Sequence, residues 1–303
     1  MPATEYLPRR PSESRFATLR HHRMHLRTWP GSAGAPLLVL VHGWMDVGAS
    51  FQFLVDALED TPAAGRTVVA PDWRGYGLTE GAPTDSYWFA DYLGDLDALL
   101  DHLSPEAPVD LVGHSMGGNV AMLYAGVRPG RVRRLVNLEG FGMPQTTPEQ
   151  APKRLRQWLD ELKAPARLSD YASHDEVAAR LMANNPRLAP ERARWLALHW
   201  ARPDAQGRWQ VLGDPAHKRV NPVLSRREEA IATWQAIEAP VLWVEGDLTD
   251  TSAWWGDRYP RSDFEARLSV VRRLEREVLS PAGHMLHLDQ PEALARRIAR
   301  FVG

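Results

Sequence analysis

The chain of 303 residues contains no cysteine, which excludes disulfides, thiolate metal sites and thiol catalysis together. It also lacks a charge of one dominant sign. Its 36 Lys and Arg stand against 38 Asp and Glu, a formal net charge of −2, so no global basic field points to nucleic acid. No apolar run approaches the roughly 20 residues needed to span a bilayer. The stretch Met1 to Arg27 is broken by prolines and arginines and has no apolar core of signal-peptide length. A cytoplasmic protein with neither membrane nor nucleic acid as partner is the expectation. Internal repeats and low-complexity tracts are absent too. No Gly-x-Gly-x-x-Gly follows the first apolar strand, which removes a dinucleotide-binding reading. What is present is a hydrophobic fraction of 44%, ordinary for a chain that buries a sizeable core.

Apolar runs and helical periodicity alternate through the first half. Phe16–Leu19 and Met24–Trp29 read as two short antiparallel strands after a loose or edge-packed arm over residues 1–15. Leu37–Val41 reads as a strand buried on both faces and Val109–Val112 as a buried strand, with Thr67–Ala70 and Leu135–Leu138 as further strands. Between them, Phe51–Leu58, Tyr87–Leu103 and Asn119–Val127 carry helical spacing. This is the rhythm of a doubly wound α/β sheet. It stops at Glu139-Gly140-Phe141-Gly142-Met143-Pro144 and resumes at Val241–Glu245, with a last strand at Arg276–Leu279 and a final helix at Pro291–Val302. Residues 1–143 and 239–303 are therefore read as the core. Residues 144–238 are read as a helical lid, with helices at Lys153–Leu162, Asp175–Asn184 and Pro190–Trp200.

The organising stretch is Gly113-His114-Ser115-Met116-Gly117-Gly118, between a predicted strand and a predicted helix. A serine between glycines at that junction fits a nucleophile elbow, where a sharp turn lifts the hydroxyl above the sheet. Side chains at Gly113 and Gly117 would collide with the neighbouring helix and strand. A serine hydroxyl needs a positioned base. His284 follows the last predicted strand, at the carboxyl edge of the sheet where such folds bind ligands. His287 reads as an ordinary partly buried histidine, and His114 as a packing residue. The base in turn needs a carboxylate. Asp250, several residues beyond Val241–Glu245, is the choice, with Asp247 and Glu139 as alternatives. Ser115…Asp250…His284 is the chain order expected of this arrangement. Oxyanion donors are expected from the backbone N–H groups of Met116, at a helix start, and Trp44, after His42-Gly43.

These motifs resemble the α/β-hydrolase superfamily over nearly the whole chain: HGW at 42–44, PDWRGYGLT at 71–79, GHSMGG at 113–118, the GDLTD segment and AGHMLHLDQPE at 282–292. The wording around HGWMD and DWRGYG is similar to the capped serine hydrolases and esterases. The resemblance implies an α/β-hydrolase fold with a mostly parallel eight-stranded sheet flanked by helices and a helical lid after strand six. It also implies no cofactor, no metal, and serine–acid–histidine catalysis. Related dehalogenases and epoxide hydrolases carry an aspartate at the elbow, where this chain has Ser115. The acid segment is spaced less tidily than in many relatives, so Asp247 and Glu139 stay open beside Asp250.

The reaction expected is hydrolysis of carboxylic esters through an acyl-enzyme. The alternatives are a serine-dependent carbon–carbon bond hydrolase of the same fold and a catalytically silent ligand-binding protein. Trp158, Trp195, Trp200, Trp209 and Trp234 in the lid read mainly as packing anchors, whereas Trp44 lies beside the site by position. A small-molecule ester with a hydrophobic acyl or aromatic group is the expected partner. Residues 151–235 hold 15 Lys and Arg against 10 Asp and Glu, a balance that would also suit an anionic substrate or an acidic carrier protein.

Overall fold

Strands that are apolar at every position need cover on both faces, and the computed structural model, which describes residues 5–32 and 34–303, provides it. The chain opens with β1 (Glu13–Leu19), β2 (His22–Trp29) and β3 (Leu38–Val41), then α1 (Gln52–Leu58), β4 (Val68–Pro71) and α2 (Phe89–Leu103). β5 (Val109–His114), α3 (Met116–Val127) and β6 (Val132–Leu138) follow. The next segment holds α4 (Ala151–Lys163), β7 (Asp170–Tyr171), α5 (His174–Asn184), α6 (Pro190–Trp200), β8 (Ala201–Pro203), β9 (Trp209–Val211) and α7 (Arg227–Gln235). The chain closes with β10 (Val241–Gly246), α8 (Ser252–Trp255), α9 (Arg261–Leu268), β11 (Leu274–Leu279), α10 (Leu286–Asp289) and α11 (Pro291–Val302).

Eight strands form one sheet in the order β1-β2-β4-β3-β5-β6-β10-β11. β1 and β2 are antiparallel to each other, β2 is antiparallel to β4, and the pairings from β4 to β11 are parallel. Alternation along β3 shows the double cover: Val39 and Val41 join one core, Leu38 and Leu40 the other. The first core is closed by Leu96, Leu99 and Leu100 of α2, Val120 and Tyr124 of α3, and Phe264 of α9. The second is closed by Leu54 and Val55 of α1 and by Leu294, Ile298 and Phe301 of α11. All the parallel strands point their carboxyl ends to one edge, where β5, β6, β10 and β11 deliver Ser115, Glu139, Asp247 and the loop to His284.

The edge strands are longer than the apolar runs suggest, because backbone pairing continues through polar residues such as Glu13 and Arg15. Tyr6, Arg9 and Arg10 of the N-terminal arm pack on α1 through Asp56, Glu59 and Asp60. Residues 1–4 of that arm lie outside the described residues.

Between β6 and β10 the segment carries the helices its periodicity suggests, together with a small antiparallel sheet, β7-β9-β8. Strands of two or three residues leave no apolar run to read. α5 and α6 pack through Val177, Leu181, Leu196 and Trp200 onto Val47, Phe53 and Leu288 of the core. α7 lies against α3, with a Cβ built on Gly126 meeting the Thr233 carbonyl at 2.0 Å, and Trp234 belongs to the first core.

His217 fastens the segment to the sheet domain. Its ring is stacked between Tyr76 and Tyr87, with centroids 3.9 and 3.6 Å away. Backbone bonds from Gly77 N–H to Leu212 and from Asp214 N–H to Gly75 flank the stack. Burial pushes the His217 pKa down from an ordinary 6.5 to about 3. Below pH 6.5 the unfolded chain therefore takes up a proton that the folded chain refuses, so stability falls as pH drops towards 3 and is unaffected by this ring above 6.5. His217→Phe keeps the stack and removes the proton site. Thermal melts between pH 7 and pH 4 are expected to show a smaller loss of Tm in this variant than in the parent chain.

Candidate active site

The turn after β5 is sharp enough to leave its mark on the backbone: Ser115 has φ 52° and ψ −115°. A non-glycine residue accepts that region only when its surroundings over-determine it. They do. A Cβ on Gly113 would stand 2.5 Å from the Gly117 carbonyl oxygen, and one on Gly117 would stand 2.3 Å from that of Val41. Helix α3 is thus pressed against the ends of β5 and β3, and the serine is the residue that must bend. Its own N–H remains in the ladder, bonded to Leu138 O at 2.8 Å.

His284 meets this serine. Its Nε2 lies 2.9 Å from Ser115 Oγ, and its Nδ1 lies 2.6 Å from Oε2 of Glu139. A carboxylate only accepts, so Nδ1 carries the proton and Nε2 presents its lone pair to the serine hydroxyl. The Glu139 side chain is fully buried. Its second oxygen accepts from Gly246 N–H and from Thr249 Oγ1, both at 2.7 Å. Glu139 itself takes a positive φ of 55° at the end of β6, which turns its side chain across to β10.

The expected acid, Asp250, is not brought to His284. Its Oδ1 accepts from the backbone N–H and hydroxyl of Ser252, at 2.9 and 2.5 Å, and so starts the short α8. It lines a surface cavity of about 470 Å³ with Asp257 and Arg261, whose lining includes neither Ser115 nor His284. Asp247 is also elsewhere: it accepts from Ser280 Oγ and Ala282 N–H and braces the loop before His284. The physical reason is the order of strands. β6 and β10 are neighbours, so a side chain at the end of either reaches the same histidine. Glutamate, one methylene longer than aspartate, spans the gap from β6.

The two expected oxyanion donors lie on either side of the serine. Met116 is the first residue of α3, where a helix leaves its N–H groups without intrahelical partners. Trp44 follows Gly43, and a Cβ on Gly43 would be 3.1 Å from Ser115 Cβ, so this backbone passes directly against the nucleophile position. His42 holds it there. Its Nδ1 donates to Gly43 O at 2.8 Å, and its Nε2 accepts from Trp73 N–H at 3.0 Å. Burial pushes the His42 pKa down to about 4, which keeps Nε2 free to accept. The sequence marks His42 only as the residue ahead of Gly43-Trp44, with no role for its own ring. Its position directly after an apolar strand was the available signal.

The rim is apolar. Trp254 sets its ring edge-on to His284 at 4.5 Å, and Trp44, next to Gly43, is exposed. The insertion's tryptophans are anchors instead: Trp158 bonds Ser86, Trp200 bonds Met45 O, Trp195 packs on Tyr6 and Phe53, and Trp209 lies by His174. His114 and His287 are both buried. His114 Nε2 donates to the backbone carbonyl of His284 at 2.8 Å. Among the described residues no helix is long and apolar enough to cross a membrane.

Comparison with known proteins identifies the family. A family model described as alpha/beta hydrolase fold matches residues 36–291. The chain is 36% identical to the sn-1-specific diacylglycerol lipase of Mus musculus over 97% of this chain and 89% of that one. It is 31% identical to the 3-hydroxybutyrate-oligomer hydrolase of Cupriavidus necator, over 76% and 78% of the two chains. A thioesterase domain from the curacin biosynthetic pathway superposes with a TM-score of 0.82 at 26% identity, covering 96% of this chain and 99% of that domain. The chain belongs to the α/β-hydrolase family.

Proposed function

We propose that this protein is a serine hydrolase of carboxylic esters, with Ser115 as nucleophile, His284 as general base and acid, and Glu139 as the carboxylate of the triad. The observation that carries this reading is the continuous chain Ser115 Oγ, His284 Nε2, His284 Nδ1 and Glu139 Oε2, at 2.9 and 2.6 Å. His284 takes the serine proton as Oγ attacks the acyl carbon. The imidazolium so formed is stabilised by the buried Glu139 carboxylate. It returns the proton to the departing alcohol, and water activated by the same ring then releases the acid.

In this reading the N–H groups of Met116 and Trp44 receive the oxyanion, and α3 adds the favourable field of its N-terminus. The names of the lipase, the oligomer hydrolase and the thioesterase support acyl transfer as the reaction class. The exposed tryptophans beside the site, Trp44 and Trp254, support a hydrophobic acyl or aromatic group as the part of the substrate held by the protein.

The test is turnover of p-nitrophenyl esters of increasing acyl length. The parent chain is expected to hydrolyse them and Ser115→Ala to lose about 10⁴-fold or more in kcat. If the parent chain turned over none of them while a serine-directed phosphonate still labelled Ser115, the ester reading would fail and carbon–carbon bond hydrolysis would replace it. Failure to label at all would leave ligand binding without turnover.

The identity of the acid has its own test. Glu139→Gln keeps the shape but offers an amide to a ring that needs a carboxylate, and about a 10³- to 10⁴-fold loss of kcat is expected. Asp250→Asn is expected to leave kcat unchanged, because its carboxylate serves only Ser252. The reverse ranking would return the role to Asp250.

A further inference from the structure

Close to His284, three buried side chains from separate parts of the chain converge. Asp46 comes from the loop after β3, His114 from the end of β5 and His287 from α10. One ligand atom of each lies within 4.8 Å of the others, and all three side chains are nine-tenths or more buried.

Their hydrogen bonding is incomplete in a particular way. His114 Nε2 faces the carbonyl oxygen of His284 at 2.8 Å, so it must carry the proton. That leaves Nδ1 as a bare lone pair, and it has no partner. Both ring nitrogens of His287 are buried without a partner. Asp46 accepts one hydrogen bond on each oxygen, from Val47 N–H and Ser50 Oγ, and each oxygen keeps a second lone pair. A buried polar atom left unpaired costs about 1–3 kcal/mol, and the lone pairs of His114 Nδ1, of one His287 nitrogen and of Asp46 call for an occupant that accepts them.

The spacing of one pair bears on the occupant. His287 Nε2 and Asp46 Oδ2 are 3.8 Å apart, beyond a direct hydrogen bond. Two groups bridged by one water, each at a normal hydrogen-bond length, would stand about 4.5 Å apart. Two ligands on a tetrahedral zinc ion, at bond lengths near 2.0–2.1 Å, stand about 3.4 Å apart. The observed value is nearer the second. Two imidazoles and one carboxylate also form a donor set that suits zinc-class dications.

We propose that Asp46, His114 and His287 form a binding site for a transition-metal dication of the zinc class, distinct from the Ser115 site. Bound there, the ion would join the loop after β3 to the β5 end and α10. Through the His114 bond to the His284 carbonyl it would stiffen the loop that carries the histidine.

The test uses the full chain, dialysed against a chelator and then against Zn²⁺ or Co²⁺. One equivalent retained per chain after gel filtration is expected, with a rise in Tm and, for Co²⁺, the intense visible absorption of a four-coordinate ion. His287→Gln and Asp46→Asn are each expected to weaken binding by about 100-fold or more. Should those variants fail to fold, X-ray absorption of the zinc-loaded parent chain decides, with two imidazole ligands expected. No retained metal in the parent chain, or retention that survives both substitutions, would overturn the proposal. A water or a direct polar contact would then occupy the cluster. None of these readouts depends on ester turnover, so the site stands or falls independently of the reaction proposed above.

Discussion

The buried carboxylate of Glu139 is the constraint around which the carboxyl edge of the sheet is arranged. An ionised carboxylate deprived of water is tolerated only when donors surround it. Here the donors come from three places: Gly246 at the end of β10, Thr249 in the loop beyond it, and His284 from the loop after β11. The same charge therefore closes the β6–β10 seam, shapes the loop that follows β10 and fixes the tautomer of the histidine. Stability and chemistry are not separable at this residue. Removing the carboxylate leaves three donors aimed at nothing, which is why an isosteric amide is the informative change and a truncation is not.

Ser115, the proposed nucleophile, is held by the opposite strategy, steric rather than electrostatic. The close approach of α3 to β3 and β5 bends Ser115 into its strained backbone. The strain is therefore supported by the packing of two cores against the parallel strands. The backbone at Gly43–Trp44 is placed by yet another device, the neutral His42 that links it to Trp73. Three kinds of force thus position three parts of one site: a buried charge, a steric squeeze and a neutral hydrogen-bonded ring.

How much of this is legible in the sequence follows from those forces. Steric demands are written locally, as glycines at 113 and 117 around a serine, so the elbow is readable without a structure. Continuous apolar runs such as Leu37–Val41 need cover on both faces, so the parallel sheet is readable too. The pairing of Glu139 with His284 spans 145 positions and depends on which strands are neighbours. No spacing in the chain encodes that. Asp250 sits where a strand-end loop offers room, yet room is not contact, and Ser252, two residues on, captures its Oδ1 first. The strands β7, β8 and β9 escape for a simpler reason, since two or three residues carry no period.

A second relay in the same molecule shows what the site requires beyond hydrogen bonds. Ser14 Oγ lies 2.8 Å from His25 Nε2, and His25 Nδ1 lies 2.8 Å from Oδ2 of the buried Asp72. Atom for atom this repeats the serine–histidine–carboxylate order. Ser14, however, stands in a regular strand, paired with Arg27 at the outer edge of the sheet, with extended rather than strained backbone. It opens no helix whose N–H groups and dipole would receive a developing oxyanion. Asp72 also caps Gly48 and Leu78, so this chain of bonds ties the two antiparallel strands to the turn after β4. The relay at Ser115 differs in what surrounds the oxygen. The helix start, the bent backbone and the apposed Gly43–Trp44 segment supply a place for charge to form, and the hydrogen-bonded triad acquires chemical meaning only beside it.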